Sequence, residues 1–344
     1  MPAWRIAWVL VLVAGTPGSP SAQSPPPPAQ QACTALHSDA ARLMCYDAAN
    51  GREPAETPGG DNAARSGEGA AAPGRGSLLD RRWELAGNSK LGTFRLRAYK
   101  PVYIFPICWT SDRNTLPRSP NPRNTVAEPQ DLDRFEARFQ LSMKFKLAEN
   151  LLGENGDLWG TYTQTSRWQV YNADNSRPFR ETNYEPELML LFRTDYGFAG
   201  WRGRMAGIVL NHQSNGQAKP LSRSWNRVML LLGWDRPGWA LLLRPWWRVT
   251  EGSDDDNPDI SDYLGRGDIL LVHTWNRHEV SLLARHSLRG GGRSHGAMQI
   301  EWAFPIHGPL RGRLQVFHGY GESMIDYNHQ ATWASAGFSL VEWF

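Results

Sequence analysis

Phe135-Glu-Ala-Arg-Phe-Gln-Leu-Ser-Met-Lys-Phe-Lys-Leu147 alternates apolar and polar residues without a break. A period of two belongs to a strand with one apolar face; a helix would show 3.6. Phe135, Ala137, Phe139, Leu141, Met143, Phe145 and Leu147 share one face, and Glu136, Arg138, Gln140, Ser142, Lys144 and Lys146 share the other.

The pattern recurs toward the C-terminus. Met298, Ile300, Trp302 and Phe304 alternate with Ala297, Gln299, Glu301 and Ala303. Val280, Leu282 and Ala284 alternate with Glu279 and Ser281, and Leu314 and Val316 with Arg313 and Gln315. About a dozen such segments follow Phe94, separated by Gly-, Asn-, Asp- and Pro-rich turns, each of the length a tilted membrane strand needs. A soluble sandwich would turn the apolar faces inward; a membrane barrel turns them outward, with polar faces in the lumen. Three features favour the barrel. The N-terminus reads as an export signal, no apolar run is long enough for a spanning helix, and the chain ends on a strand-like segment, Ala334–Phe344, with a terminal aromatic residue. Sixteen Trp among 344 residues also suit a chain with membrane interfaces. A net charge of +3, without a basic run, gives no reason to expect a nucleic-acid partner.

The expected organisation has three parts. Residues 1–22 form a signal peptide, with Arg5, the apolar run Ile6–Ala14 and small residues around Ser19–Ala22. Residues 23–79 form a periplasmic extension: a small helical element over 32–49 and a flexible linker over 50–77, which lacks large apolar residues. Residues 80–344 form the barrel, with folded structure from near Leu78. Cys33 is a poor lipoprotein site, because Gln30–Gln31–Ala32 lacks the expected Leu. Cys33 and Cys45 stand about 18 Å apart in one continuous helix, beyond disulfide reach. A bridge between them needs a bend, which His37–Ser38–Asp39 with Ser38 as N-cap can supply, and an oxidising compartment. No C-x-x-C pair argues for structural zinc.

Parity directs attention to Asn211-His-Gln-Ser-Asn-Gly216 and Ser222-Arg-Ser-Trp-Asn-Arg227. Residues 204–210 and 228–232 flank them as strands. Ala206, Ile208, Leu210, His212 and Ser214 share one face, so His212 and Ser214 would lie on the lipid side. Ser224, Asn226, Val228, Leu230 and Leu232 share a face of the next strand, and a hairpin can bring Asn226 beside His212. A serine hydroxyl needs an adjacent base, and that base needs an orienting partner. An asparagine supplies one without a bare charge at a lipid face. The competing reading is three polar residues where strands leave the membrane.

Several segments, in order, resemble bacterial outer membrane phospholipase A: Tyr162–Gln169, Ser176–Pro186, Asn211–Gly216, Ser222–Arg227, Asp255–Ile260 and Gly319–Asn328. The resemblance runs from about residue 80 to the C-terminus. It implies a twelve-stranded antiparallel barrel in the Gram-negative outer membrane. It also implies calcium-dependent hydrolysis of phospholipid and lysophospholipid acyl esters, at both glycerol positions, by a homodimer. Ser214 would be the nucleophile, His212 the base and Asn226 the third member. Ser176 would give calcium a hydroxyl, and Gln217 and Ser222 of the partner subunit backbone carbonyls. Gln217 stands where the family has Arg, and Gln213 where it has Asp. Lys219 replaces an Asp that helps bind a second calcium, which puts such a site, with Asp254 as a further ligand, in doubt. Gln164 matches a polar residue of the dimer interface, or is an ordinary rim residue. Asp254–Asp256 and Asp259 read as a solvated loop. The alternative from another class is a passive channel lined by Arg138, Lys144 and Lys146.

Overall fold

The computed structural model describes residues 76–344 and, upstream, Cys33, Arg42, Cys45, Tyr46 and Ala49. The chain divides into two units, Met1–Gly69 and Ala70–Phe344. In the first, Cys33 and Cys45 form a disulfide with their Cα atoms 5.5 Å apart. The expected signal peptide, the bend at 37–39 and the linker lie outside the described residues.

The second unit is a closed antiparallel barrel. Its strands are β1 (Arg97–Ala98), β2 (Val102–Thr110), β3 (Phe135–Ala148), β4 (Asp157–Trp168), β5 (Phe179–Phe198), β6 (Trp201–Ser214), β7 (Ser224–Arg236), β8 (Trp239–Val249), β9 (Gly267–Trp275), β10 (His278–His286), β11 (Gly296–His307), β12 (Leu310–Tyr320) and β13 (Gln330–Val341). Each of β2 to β12 pairs with the next strand in sequence, and β13 returns to β2, with Ala334 opposite Trp109. Twelve strands thus make the wall. The stub β1 adds a short pairing to β3, Arg97 opposite Lys144. Among the described residues no helix is long and apolar enough to cross a membrane. Closure leaves no sheet edge, which a strand in hydrocarbon requires.

The two-residue period sorts the side chains as expected on β3. Leu141 is 47% exposed on the outer wall, whereas Lys144 and Lys146 are fully buried inside. Inward parity does not always mean polar, however. Met189 and Leu191 on β5, Met205 and Val209 on β6, and Met229 and Leu231 on β7 face inward and are buried, while Leu188, Ile208 and Leu210 are exposed outside. The cause is a helical plug, α1 (Leu78–Trp83), whose Leu79 and Trp83 join that inner apolar cluster. Ser77 caps α1 through its side chain and also donates to Asp235 of β7. The lumen therefore holds an apolar cluster on the β5–β7 side of α1 and a larger ionic layer farther along.

The ionic layer is closed by the segment between β12 and β13, where Ser323–Tyr327 are buried. Glu322 accepts from Arg138 and Arg167. Arg180 pairs with Glu136 at 2.8 Å and Asp326 at 2.7 Å. A cavity of about 210 Å³ remains between the layers, lined among others by Arg138, Arg167, Glu185 and Arg227. The residues expected to line a passive channel are occupied. Arg138 is held by Glu322 and Gln315, Lys144 by the Arg82 carbonyl beneath the Trp83 ring, and Lys146 by Glu84, Glu149 and Asp157.

The C-terminus departs from the expected strand over Ala334–Phe344. β13 stops at Val341, and the Trp343 and Phe344 amides donate to the Glu279 carboxylate at 3.0 and 3.1 Å. Both aromatic residues pack against the cluster around α1. Strands β6 and β7 also run well beyond the segments 204–210 and 228–232, because register pairing carries them into polar sequence at the rim.

Removing one partner from a buried ion network leaves its neighbours uncompensated. Glu322→Ala is expected to destabilise the barrel by about 3–5 kcal/mol, read as an earlier urea midpoint for loss of the folded, heat-modifiable band.

Candidate active site

The short connections, 199–200, 237–238, 276–277 and 308–309, all lie at the end of the barrel that holds α1. Long connections, including 111–134, 215–223 and 250–266, lie at the other end. In this class of barrel long connections face outward and short ones the periplasm. Ser214 ends β6 and Ser224 starts β7, so the candidate residues sit at the outer rim.

Register decides their contact. His212 is opposite Asn226, Ser214 is opposite Ser224, and Tyr184 of β5 is opposite Ser214 on its other side. All lie on the outer face, with His212 exposed and Ser214 and Asn226 half-buried. His212 Nδ1 is 2.8 Å from Asn226 Oδ1. Gln164 on β4 is opposite Tyr184, on the same outer row, and accepts from Tyr162 Oη at 3.1 Å. Gln213 points inward, as parity requires, and accepts from the Trp225 indole at 3.0 Å.

The connection between β6 and β7 is held from within by Asn215, which is buried. Its amide donates to the Leu221 carbonyl, and its side-chain oxygen accepts from the Arg223 and Gln217 N–H groups. Gly216 adopts φ +62, and a Cβ there would lie 2.9 Å from the Tyr184 ring. Gln217 Nε2 donates to the Arg180 carbonyl at 2.9 Å, tying this turn to the start of β5. Ser176 sits exposed, at φ +55, in the turn between β4 and β5 that Asn172 braces. The Ser222 carbonyl accepts from Asn124 Nδ2 at 2.9 Å and from the Arg223 guanidinium at 2.7 Å.

The acidic stretch after β8 is not simply solvated. Asp255 takes both oxygens to Arg248, Asp256 accepts from Ser222 Oγ, Asp259 accepts from Tyr327 Oη at 2.6 Å, and Asn257 accepts from the Ser224 N–H. Asp254 is exposed and paired with Lys219 at 2.7 Å and with Arg123. The hydrogen bond from Lys219, with Arg123 close by, holds the Asp254 carboxyl below the ordinary carboxylate range. A residue that parity could not flag is Glu251, two positions past the end of β8. Its Oε1 accepts from Asn226 Nδ2 at 2.8 Å and its Oε2 from Ser224 Oγ at 3.2 Å.

A closed antiparallel barrel with an apolar outer wall and a filled ionic lumen is an integral outer-membrane protein, here with a polar row at its rim where a hydrolytic site can sit. The phospholipase A1 family matches residues 79–340, and the chain belongs to that family. It is 38% identical to the Klebsiella pneumoniae phospholipase A1 over 251 residues, 73% of this chain and 84% of that protein. It is 41% identical to a putative phospholipase A1 of Neisseria meningitidis serogroup B over 255 residues, 72% of this chain and 66% of that one. The fold matches the outer membrane phospholipase A of Escherichia coli with a TM-score of 0.65 at 37% identity, covering 73% of this chain and all of that one. A calcium-bound dimer of the Salmonella typhi enzyme matches with the same TM-score at 36% identity, over 74% of this chain and 95% of that one. The protein is thus an outer-membrane phospholipase of a Gram-negative cell.

Gly216→Ala places a β-carbon in the left-handed region, at a cost of about 1–2 kcal/mol, and against Tyr184. It is expected to lower the urea midpoint for loss of the folded barrel.

Proposed function

We propose that this phospholipase hydrolyses acyl esters at both glycerol positions, and those of lysophospholipids, through Ser214, His212 and Asn226. The observation that carries this reading is the 2.8 Å contact between His212 Nδ1 and Asn226 Oδ1 on the lipid-facing wall, with Ser214 two residues along the same face. Polar residues on such a wall are usually functional. His212 Nε2 takes the proton as Ser214 Oγ attacks the ester carbonyl. The Ser214 backbone N–H is a donor to the developing oxyanion. His212 returns the proton to the leaving alcohol, then activates the water that frees the fatty acid. Substrate arrives by diffusion within the outer leaflet, and the apolar wall holds its acyl chains.

The working form is proposed to be a homodimer, as in the Salmonella typhi structure. Ser176 of one subunit, with the Gln217 and Ser222 carbonyls of the other, would hold calcium, which supplies positive charge near the oxyanion. An all-oxygen set suits this cation, and no described residue donates a hydrogen bond to the Gln217 carbonyl. Ser222 fits less simply, because its carbonyl already accepts two hydrogen bonds. Metal binding there has to replace one of these two contacts. Asp254 is left out of the metal set, because Lys219 and Arg123 already match its charge. Residues 1–22 are proposed as the export signal and 23–79 as the periplasmic extension.

Hydrolysis of a phospholipid in detergent micelles tests the assignment. Ser214→Ala is expected to lose activity by on the order of 10³-fold or more, with the barrel still folded. Chelation of calcium is expected to abolish wild-type turnover and re-addition to restore it. Undiminished activity in Ser214→Ala would remove the triad; activity indifferent to chelator would remove only the metal set.

A further inference from the structure

We propose that Glu251 is a positioning residue that sets the tautomer of His212 through Asn226, an inference that rests on the serine-hydrolase reading. The two faces of an asparagine amide differ only in what they bond. A carboxylate only accepts. With Glu251 Oε1 at 2.8 Å, the Asn226 NH₂ must point to it, which leaves the Asn226 oxygen facing His212. An amide oxygen also only accepts, so His212 Nδ1 must carry the hydrogen. Nε2 is then the bare nitrogen, as a general base for serine requires. Without Glu251 nothing in this chain of contacts stops the amide from turning. A flipped Asn226 would donate to Nδ1 and favour the tautomer that cannot accept a proton at Nε2.

Glu251 is itself held. Its second oxygen takes the Ser224 hydroxyl at 3.2 Å, so the carboxylate bridges two residues on the outer face of β7. The carboxylates that follow it are committed elsewhere: Asp254 to Lys219 and Arg123, Asp255 to Arg248, and Asp256 to Ser222 Oγ with Lys219 4.0 Å away. From β5 the titratable neighbour is Tyr184, opposite Ser214, and from β4 it is Tyr162. On β8 the residue opposite Asn226 is Val249, which carries no charge. Glu251 is thus the carboxylate coupled to the imidazole, one amide removed. Its negative charge favours the imidazolium that forms as Ser214 attacks. Asparagine as third member then keeps formal charge off the wall, while the carboxylate acts from the rim.

The test compares wild type with Glu251→Gln, Glu251→Ala, Asn226→Asp and the double variant Asn226→Asp/Glu251→Gln, in the full-length protein with calcium, as kcat and KM across pH. Glu251→Ala is expected to lower kcat by roughly 10- to 100-fold, the scale seen when the hydrogen-bond partner of a metal-bound histidine is removed, with KM little changed. Glu251→Gln keeps an acceptor but loses the charge. Its rate falls less than in Glu251→Ala. Asn226→Asp sets two carboxylates side by side and is expected to lose activity, and adding Glu251→Gln should recover part of it. A packing role alone would not let the double variant recover activity over Asn226→Asp. Glu251 variants within twofold of wild type at every pH, or a double variant no better than Asn226→Asp, would overturn the proposal. If Ser214→Ala is inactive in the same assay, that result leaves the serine reading intact; if Ser214→Ala is active, both fall.

Discussion

A polar group in hydrocarbon has no water to bond, and this constraint organises the whole barrel. It requires β13 to find β2, so that no row of backbone N–H and C=O groups is left open. It sends Glu136, Arg138, Lys144 and Lys146 inward, where each meets a partner of opposite charge, a carbonyl or a ring. It also makes the row His212, Ser214 and Asn226 conspicuous. These residues face the lipid side at the rim, and His212 and Asn226 satisfy one another there.

The barrel was legible because period-two alternation survives in single strands such as 135–147. The lumen was less so. On β5 to β7 both faces are apolar, and parity cannot say that Met205 and Val209 meet a plug while Ile208 and Leu210 meet lipid. The alternation also gave no sign that the last strand stops at Val341, with Trp343 and Phe344 turning to the cluster around α1. Register between β6 and β7 follows from their patterns, so the His212–Asn226 pairing was within reach of sequence. The Glu251 contact was not, because it depends on how the chain turns after Val249. Nor was the Asn124 contact to Ser222, which crosses 98 positions.

The rim works as one hydrogen-bonded assembly. Asn215 folds the β6–β7 connection around its own amide, Gln217 ties that connection to β5, and Asn257 and Asp256 tie it to the stretch after β8. Arg223, fully buried, donates to the carbonyls of Arg118, Pro220, Ser222 and Asn124 without a carboxylate among them. Backbone carbonyls from separate loops are thereby drawn to one cation. Side chains at the strand ends inherit that rigidity, which the proton transfer proposed for His212 requires.

Arg82 of the plug donates to the carbonyls of Tyr99 and Glu342, one just before the first long strand and the other just after the last. Those two carbonyls come together only when twelve strands have been laid side by side. A partly built sheet gains nothing from this contact, whereas the finished cylinder gains all of it at once. The guanidinium is in effect a clasp that fastens only on a complete ring, so its contribution separates the assembled barrel from every shorter intermediate.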